Sequence, residues 1–273
     1  MFTVLFVLLA WVGSSLLYSL INDNPWLWFA WVPAGLVTSI LLFLCVLYLI
    51  LLPIFERTKP NAKIKAYIAS DIIEFIKLIC GVVVKVEGRE NLTPSNRVLF
   101  VANHKSQIDP LLMYAAIRKP MTAAGKSELW SIKPFLPLIK AFRVIKIDRS
   151  SDREAAKSIV EGVKLMKQDV SCIIFPEGGI LTREVEQMVS IKPGAYKLAT
   201  KSNAVIQPMV IFGGSKIVNR RWYRKWAKVT IKFLPPINPE DYQGLTTRQI
   251  ALQVVDMVNA EFPNEAKYEI KED

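Results

Sequence analysis

Residues 2–20, FTVLFVLLAWVGSSLLYSL, form an uncharged apolar run just long enough to cross a bilayer as a helix. INDNP breaks the run, and a second uncharged stretch follows from Trp26 to Leu52. Trp26, Trp28 and Trp31 gather at its start, where an interfacial aromatic belt lies in membrane helices. Pro33 and Gly35 are points at which the second helix can bend, so the pair predicts either a spanning hairpin or a shallower re-entrant wedge. A cleaved signal peptide fits less well, because the first run has no basic leader and a second apolar run follows directly.

Beyond the hairpin the pattern changes. Ile64, Tyr67, Ile68, Ile72, Phe75, Ile76 and Ile79 fall on one helical stripe and predict an amphipathic helix. VVVKVEG, RVLFVAN, RVIKIDR, SCIIF, AVIQPMVIF and KVTIKFL then read as strands bounded by turn signals. Helices separate several of them. One starts at Pro110, and a second, SDREAAKSIVEGVKLMK, is opened by Ser151 and Glu154 as a capping box. A third closes the chain from Thr246 to Phe262, with Thr246 and Gln249 at its N-terminus. This alternation predicts an α/β fold, a mainly parallel mixed sheet flanked by helices and preceded by a two-helix membrane hairpin. The expected division is a hairpin over 1–55, an interfacial helix and linker over 56–82, and a catalytic domain over 83–273.

Charge sharpens this division. The chain has a formal net charge of +11, yet no lysine or arginine precedes Arg57 and the only acidic residue before Glu56 is Asp23. An apolar anchor is therefore joined to a basic body. ERTKPNAKIK directly after the second run places the body in the cytoplasm by the positive-inside rule, with the cell membrane as the site of the anchor. A basic body suits nucleic acid, an anionic membrane or a phosphorylated substrate, and the anchor favours the last two. NRRWYRKW, residues 219–226, interleaves cations with aromatics and is read as a contact with anionic membrane lipids. No nucleic-acid-binding motif is present. The three cysteines, Cys45, Cys80 and Cys172, are unclustered, which argues against a disulfide framework. One histidine and no Cys-x-x-Cys predict no metal site.

That histidine, His104, stands in LFVANHKSQIDPLL, with Asp109 five positions on. Five helical steps leave two residues about 140° apart, so they meet only if the chain turns between them. The sequence supplies a strand end at Asn103, a polar turn, and Asp109-Pro110 as a helix opening with aspartate at the N-cap. A carboxylate on one ring nitrogen fixes the tautomer and frees the other nitrogen to accept a proton. Ser106 and Ser171 are nearby hydroxyls, but neither sits in a Gly-x-Ser-x-Gly elbow. The expected nucleophile is thus a substrate hydroxyl with His104 as its base. A second feature, CIIFPEGGILTRE at 172–184, runs a strand into paired glycines and a basic residue, a geometry that lets a ligand approach the backbone closely.

NHKSQID followed by FPEGG resembles the blocks of the glycerolipid acyltransferases, specifically the 1-acylglycerol-3-phosphate acyltransferase family. The family's His-x4-Asp block reads here as His104 to Asp109. Its second block is similar to RVIKIDR, with Arg149 at the matching arginine, and its third stands intact as Phe175, Pro176, Glu177 and Gly178. Its fourth is similar to VIQPMVIF with Pro208, while KSELW at Lys126 and IKPGAYKLA around Lys192 and Gly194 also resemble family segments. Two departures stand out. The third block usually continues Gly-Thr-Arg, whereas here Gly179, Ile180, Leu181 and Thr182 precede Arg183. The second block normally begins with glycine and has an aromatic or proline near its centre, whereas here those places hold Arg143 and Lys146.

The resemblance implies a membrane-bound enzyme that moves an acyl group from acyl-CoA or an acyl carrier protein thioester to 1-acyl-sn-glycerol-3-phosphate, with no further cofactor. His104 and Asp109 are the implied catalytic pair. The implied substrate-binding residues are Lys126, Arg149 and Arg183 for the phosphate, the Gly178–Gly179 turn, and Glu177, which orders either the glycerol or that turn. Backbone amides of the turn or of the His104 loop are the implied oxyanion donors. The alternatives are another lysophospholipid or a lyso-amino-acid lipid as acceptor, a membrane-tethered lipid hydrolase, and a nucleic-acid-binding protein.

Overall fold

The computed structural model describes residues 2–21, 28–147, 152–218, 226–263 and 271–272. Its first two helices are α1 (Phe2–Ile21) and α2 (Trp28–Val46), and the helical stretches Phe2–Ile21 and Val32–Arg57 are apolar and long enough to cross a membrane by length and composition. At 1.5 Å per residue, α1 is about 30 Å long. They pack through small and hydroxylated residues. Gly35 lies so close to Ser15 Oγ that no side chain fits there, and Ser14 Oγ donates to Gly35 O at 3.2 Å. Trp11 Nε1 donates to Val32 O at 2.8 Å, and the Tyr18 and Thr38 hydroxyls meet at 2.9 Å. Such polar contacts hold helices together where lipid offers no hydrophobic drive.

Pro33 is accommodated inside α2. The irregularity comes later, as a π segment at Leu47–Leu51, and the helix then continues as α3 (Leu52–Arg57). Two contacts tie the base of the hairpin to the body. Asp71 Oδ2 accepts from Thr3 N at 2.7 Å and Thr3 Oγ1 at 2.8 Å, and Tyr48 OH donates to Pro134 O at 3.1 Å. Trp26 lies outside the described residues, as does most of INDNP.

The amphipathic segment forms α4 (Lys63–Ile79), but its buried face is rotated from the expected stripe. Ile72 and Phe75 are buried, whereas Ile64, Tyr67 and Ile79 are exposed. Ala66, Ala69 and Ser70 make the close approach instead. Small residues at a helix contact carry no signal in a pattern of large apolar side chains.

Lys65 is also buried there. Its ammonium donates to Phe55 O at 3.2 Å and to Ala141 O, 5.3 Å from the Phe142 ring centroid. Burial, with Arg143 nearby, pushes its pKa down to about 8. Between that value and the ordinary lysine value the unfolded chain holds more protons than the folded one, so this group adds stability as pH rises. From pH 8 to pH 10 the thermal midpoint of the wild type is expected to gain on that of Lys65→Met. A constant difference between the two would rule this out.

The strands are β1 (Val82–Glu87), β2 (Val98–Ala102), β3 (Met121–Lys126), β4 (Ile145–Ile147), β5 (Ser171–Ile174), β6 (Ser190–Ile191), β7 (Val205–Phe212), β8 (Ala227–Phe233) and β9 (Lys271–Glu272). Seven make one sheet in the order β1-β8-β7-β2-β5-β3-β4, parallel at every junction except β7–β8, and β6 pairs with β9. The sheet is therefore mixed and mainly parallel. Within β2, Val98, Phe100 and Ala102 face a core shared with α4, α5 (Asp109–Ile117) and the hairpin residues Phe43 and Leu52. Leu99 and Val101 face the opposite core, with α7 (Asp152–Met166), α8 (Lys197–Ser202) and α10 (Thr247–Asn259). Thr246 caps α10 in a reciprocal pair with Gln249, as its sequence predicts. The capping box expected at Ser151 lies outside the described residues. The strand next to the β4 edge, β3, is unforeseen, because MTAAGK has few of the β-branched and aromatic residues that mark strands.

Candidate active site

Four neighbouring parallel strands, β2, β5, β3 and β4, end on the same side of the sheet, the edge at which open α/β sheets bind ligands. His104 lies two residues past the end of β2, Phe175–Gly179 follow β5, and Lys126 is the last residue of β3. Arg149 follows β4 but lies outside the described residues.

The chain turns sharply after Asn103, which is wholly buried and acts as a staple. Its amide donates to Glu186 O at 2.8 Å and Ile211 O at 2.9 Å, and its oxygen accepts from Ile211 N at 2.8 Å. The turn then brings His104 Nδ1 to 3.1 Å from Asp109 Oδ2. The same oxygen accepts from Lys105 N at 2.8 Å and Ser106 N at 2.7 Å. This corrects the expected role of Asp109 as a helix cap. Helix α5 starts at Asp109 itself, Ile108 occupies the cap position, and no side chain caps it. The carboxylate looks back into the loop and fixes its shape. Gly214, which opens the short helix α9 (Gly214–Val218), packs against it, where a Cβ would lie 3.3 Å from Asp109 Oδ1.

With Nδ1 held by the carboxylate, Nε2 is the free position of the imidazole. The His104 side chain is 15% exposed, and the ring stacks on Phe175 with centroids 4.0 Å apart. The neighbouring hydroxyls are poorly placed as nucleophiles. Ser171 opens β5, at the opposite end of that strand, and donates to Asn96 O at 2.8 Å. Ser106 is buried in the turn itself.

Glu177 is 1% exposed, so it faces the interior and not a ligand. Its Oε1 accepts from His104 N at 3.0 Å, and its Oε2 accepts from Val189 N at 3.2 Å and meets Lys105 Nζ at 3.1 Å. Of the two roles expected for it, ordering the turn matches this geometry. Lys105, also fully buried, is a site residue that sequence reasoning passed over. Lysines are rarely buried unless paired, and its partner lies 72 positions away.

Gly178 sits at φ 75°, and its N–H donates to Phe175 O at 3.0 Å to close the turn. Gly179 is overhung by Lys126, whose Nζ is 2.7 Å from where a Cβ at Gly179 would stand. Arg183 Nε donates to Lys105 O at 3.2 Å, so its guanidinium is docked on the His104 loop despite the extra residues before it. Lys126 and Arg183 are thus brought to the two glycines and to His104. Arg143 takes φ 50° at the end of α6 (Leu136–Phe142), a left-handed position that explains why glycine suits the start of that block. Among residues 219–226 only Trp226 is described, and it is exposed.

A family model described as Acyltransferase matches residues 83–212. A 1-acyl-sn-glycerol-3-phosphate acyltransferase from Limnanthes douglasii is 32% identical over 169 residues, covering 60% of this chain and 58% of that protein. The 1-acyl-sn-glycerol-3-phosphate acyltransferase alpha of Ovis aries is 30% identical over 217 residues, covering 76% of this chain and 73% of that protein. The crystal structure of PlsC, the 1-acyl-sn-glycerophosphate acyltransferase of Thermotoga maritima, superposes with a TM-score of 0.58 at 22% identity, covering 74% of this chain and 81% of that one. That match shows a shared fold.

Proposed function

The chain belongs to the 1-acyl-sn-glycerol-3-phosphate acyltransferase family, and we propose that it acylates the free hydroxyl of 1-acyl-sn-glycerol-3-phosphate to give phosphatidic acid. The observation that carries this reading is the His104 Nδ1–Asp109 Oδ2 contact of 3.1 Å, which leaves Nε2 as a base, and neither Ser106 nor Ser171 is presented to it. The nucleophile is then the acceptor's own hydroxyl.

In this mechanism His104 Nε2 takes the hydroxyl proton as the glycerol oxygen attacks the thioester carbonyl carbon. The tetrahedral intermediate collapses with loss of the thiolate, which recovers the proton from the imidazolium. Asp109 stabilises that imidazolium and holds its orientation. The acceptor phosphate is assigned to Lys126 and Arg183, the cations gathered at the turn, with Arg149 as the sequence-level third. Arginine binds phosphate as a bidentate fork and lysine as a point charge. The amides of His104, Lys105 and Ser106 all donate to carboxylates, and that of Gly178 closes its own turn. The developing oxyanion is therefore assigned to the Gly179 side of the site, not to the His104 loop.

Both acyl-CoA and acyl carrier protein suit the donor role. The two apolar helices support a membrane-anchored enzyme, and the basic segment after Arg57 supports a body on the cytoplasmic side. The test is an assay of purified protein with lysophosphatidic acid and each thioester in turn. Phosphatidic acid is the expected product, with free thiol released in equal amount. Thioester hydrolysis without a lipid product, or a trapped acyl-enzyme, would instead favour a hydrolase.

A further inference from the structure

Between β3 and α6 runs SELWSIKPF, two short 3-10 turns at Ser127–Ser131 and Lys133–Phe135. Residues 131–135 are all exposed, including Ile132 at 43% and Phe135 at 48%. They stand beside the hairpin, for Tyr48 OH reaches from the π segment to Pro134 O at 3.1 Å. Leu49 and Ile50, next to Tyr48, are themselves exposed apolar residues of the second candidate span. The patch is thus continuous with a surface built for lipid.

Its charges fit the same partner. Lys133 stands between the two apolar side chains and Lys140 follows on α6, both exposed, against one exposed carboxylate at Glu128. Basic residues flanking a small apolar knob suit the boundary between anionic headgroups and acyl chains. The chain enters this segment directly from Lys126, whose ammonium overhangs Gly179.

We infer that residues 127–135 form a second lipid-contacting element, with Ile132 and Phe135 dipping into the headgroup layer beside the hairpin and the Lys126 side of the site held at the bilayer surface. The inference rests on the membrane-anchored acyltransferase reading and extends it from the hairpin to the catalytic body.

Full-length protein with Cys45→Ala and Cys80→Ala, reconstituted in phosphatidylethanolamine–phosphatidylglycerol vesicles, provides the test. The remaining Cys172 is buried and so escapes labelling. A nitrobenzoxadiazole label is placed at Phe135→Cys and, as a control, at Val160→Cys on the exposed side of α7. Lipids spin-labelled near the headgroup are expected to quench the Phe135→Cys label several-fold more than the control, and aqueous iodide to do the reverse. Equal quenching of both labels by iodide would overturn the inference. So would a Phe135→Cys label shielded from iodide yet untouched by lipid, with energy transfer between labelled molecules, which would identify a second copy as the occupant. Quenching is read without turnover, so a failed assay with lysophosphatidic acid overturns the proposed reaction and leaves this result standing.

Discussion

Replacing His104 with alanine is expected to slow acyl transfer by about 10²–10⁴-fold, the usual worth of a positioned general base. The His104 side chain is 15% exposed and stacks on Phe175, so truncation removes that ring contact. Its backbone N–H still reaches Glu177, and Asp109 still accepts from Lys105 N and Ser106 N, so the loop keeps its frame. Loss of turnover should therefore come with a retained cooperative thermal transition and unchanged partition into membranes. A folded, membrane-bound His104→Ala enzyme that retained wild-type turnover would remove the imidazole from the mechanism. Asp109→Asn is a different experiment, since the same oxygen anchors two backbone amides and the substitution perturbs the loop together with the ring.

The largest expected effect on stability is at Lys105. Lys105→Met leaves the Glu177 carboxylate buried beside a methyl group, and breaking a buried ion pair from one side costs about 3–5 kcal/mol. That is a large part of the roughly 5–15 kcal/mol that holds a typical domain together. Two backbone donors, His104 N and Val189 N, remain on the carboxylate and soften the loss. Combining Lys105→Met with Glu177→Gln removes the stranded charge while keeping an acceptor oxygen, so the double variant should be more stable than Lys105→Met alone. Unfolding free energies of the wild type, Lys105→Met, Glu177→Gln and the double variant, measured in one detergent, give the coupling. Additive losses would mean that the pair contributes nothing as a pair.

These two residues also mark where sequence reading stopped. His104 and Asp109 were legible together because a strand end, a polar turn and a helix start leave the intervening chain one short way to fold. Lys105 sits between them and was passed over, since its partner comes from the turn after the neighbouring strand β5, 72 positions on, and a lysine in a polar turn reads as solvated. The role of Asp109 was half legible. Asp-Pro signals a helix start, but nothing local says that the carboxylate turns back towards the amides of residues 105 and 106. In the fold, the strands rich in valine and isoleucine announced themselves, whereas β3 did not, because Thr122, Ala123, Ala124 and Gly125 gain their place from neighbours β4 and β5. The rotated face of α4 has the same origin. Its close contacts are made by alanine and serine, which fit a gap defined by other elements.

Strand β2 alternates between two cores, Val98, Phe100 and Ala102 to one and Leu99 and Val101 to the other. The parity of that count sets which way the chain leaves the sheet. A one-residue slip of β2 against β5 and β7 would exchange the two sets of side chains and carry Asn103 off Ile211 and His104 off Glu177. The imidazole is therefore phase-locked to the pleat of the sheet, and its position is counted out, residue by residue, from the pairing of β2 with β5 and β7.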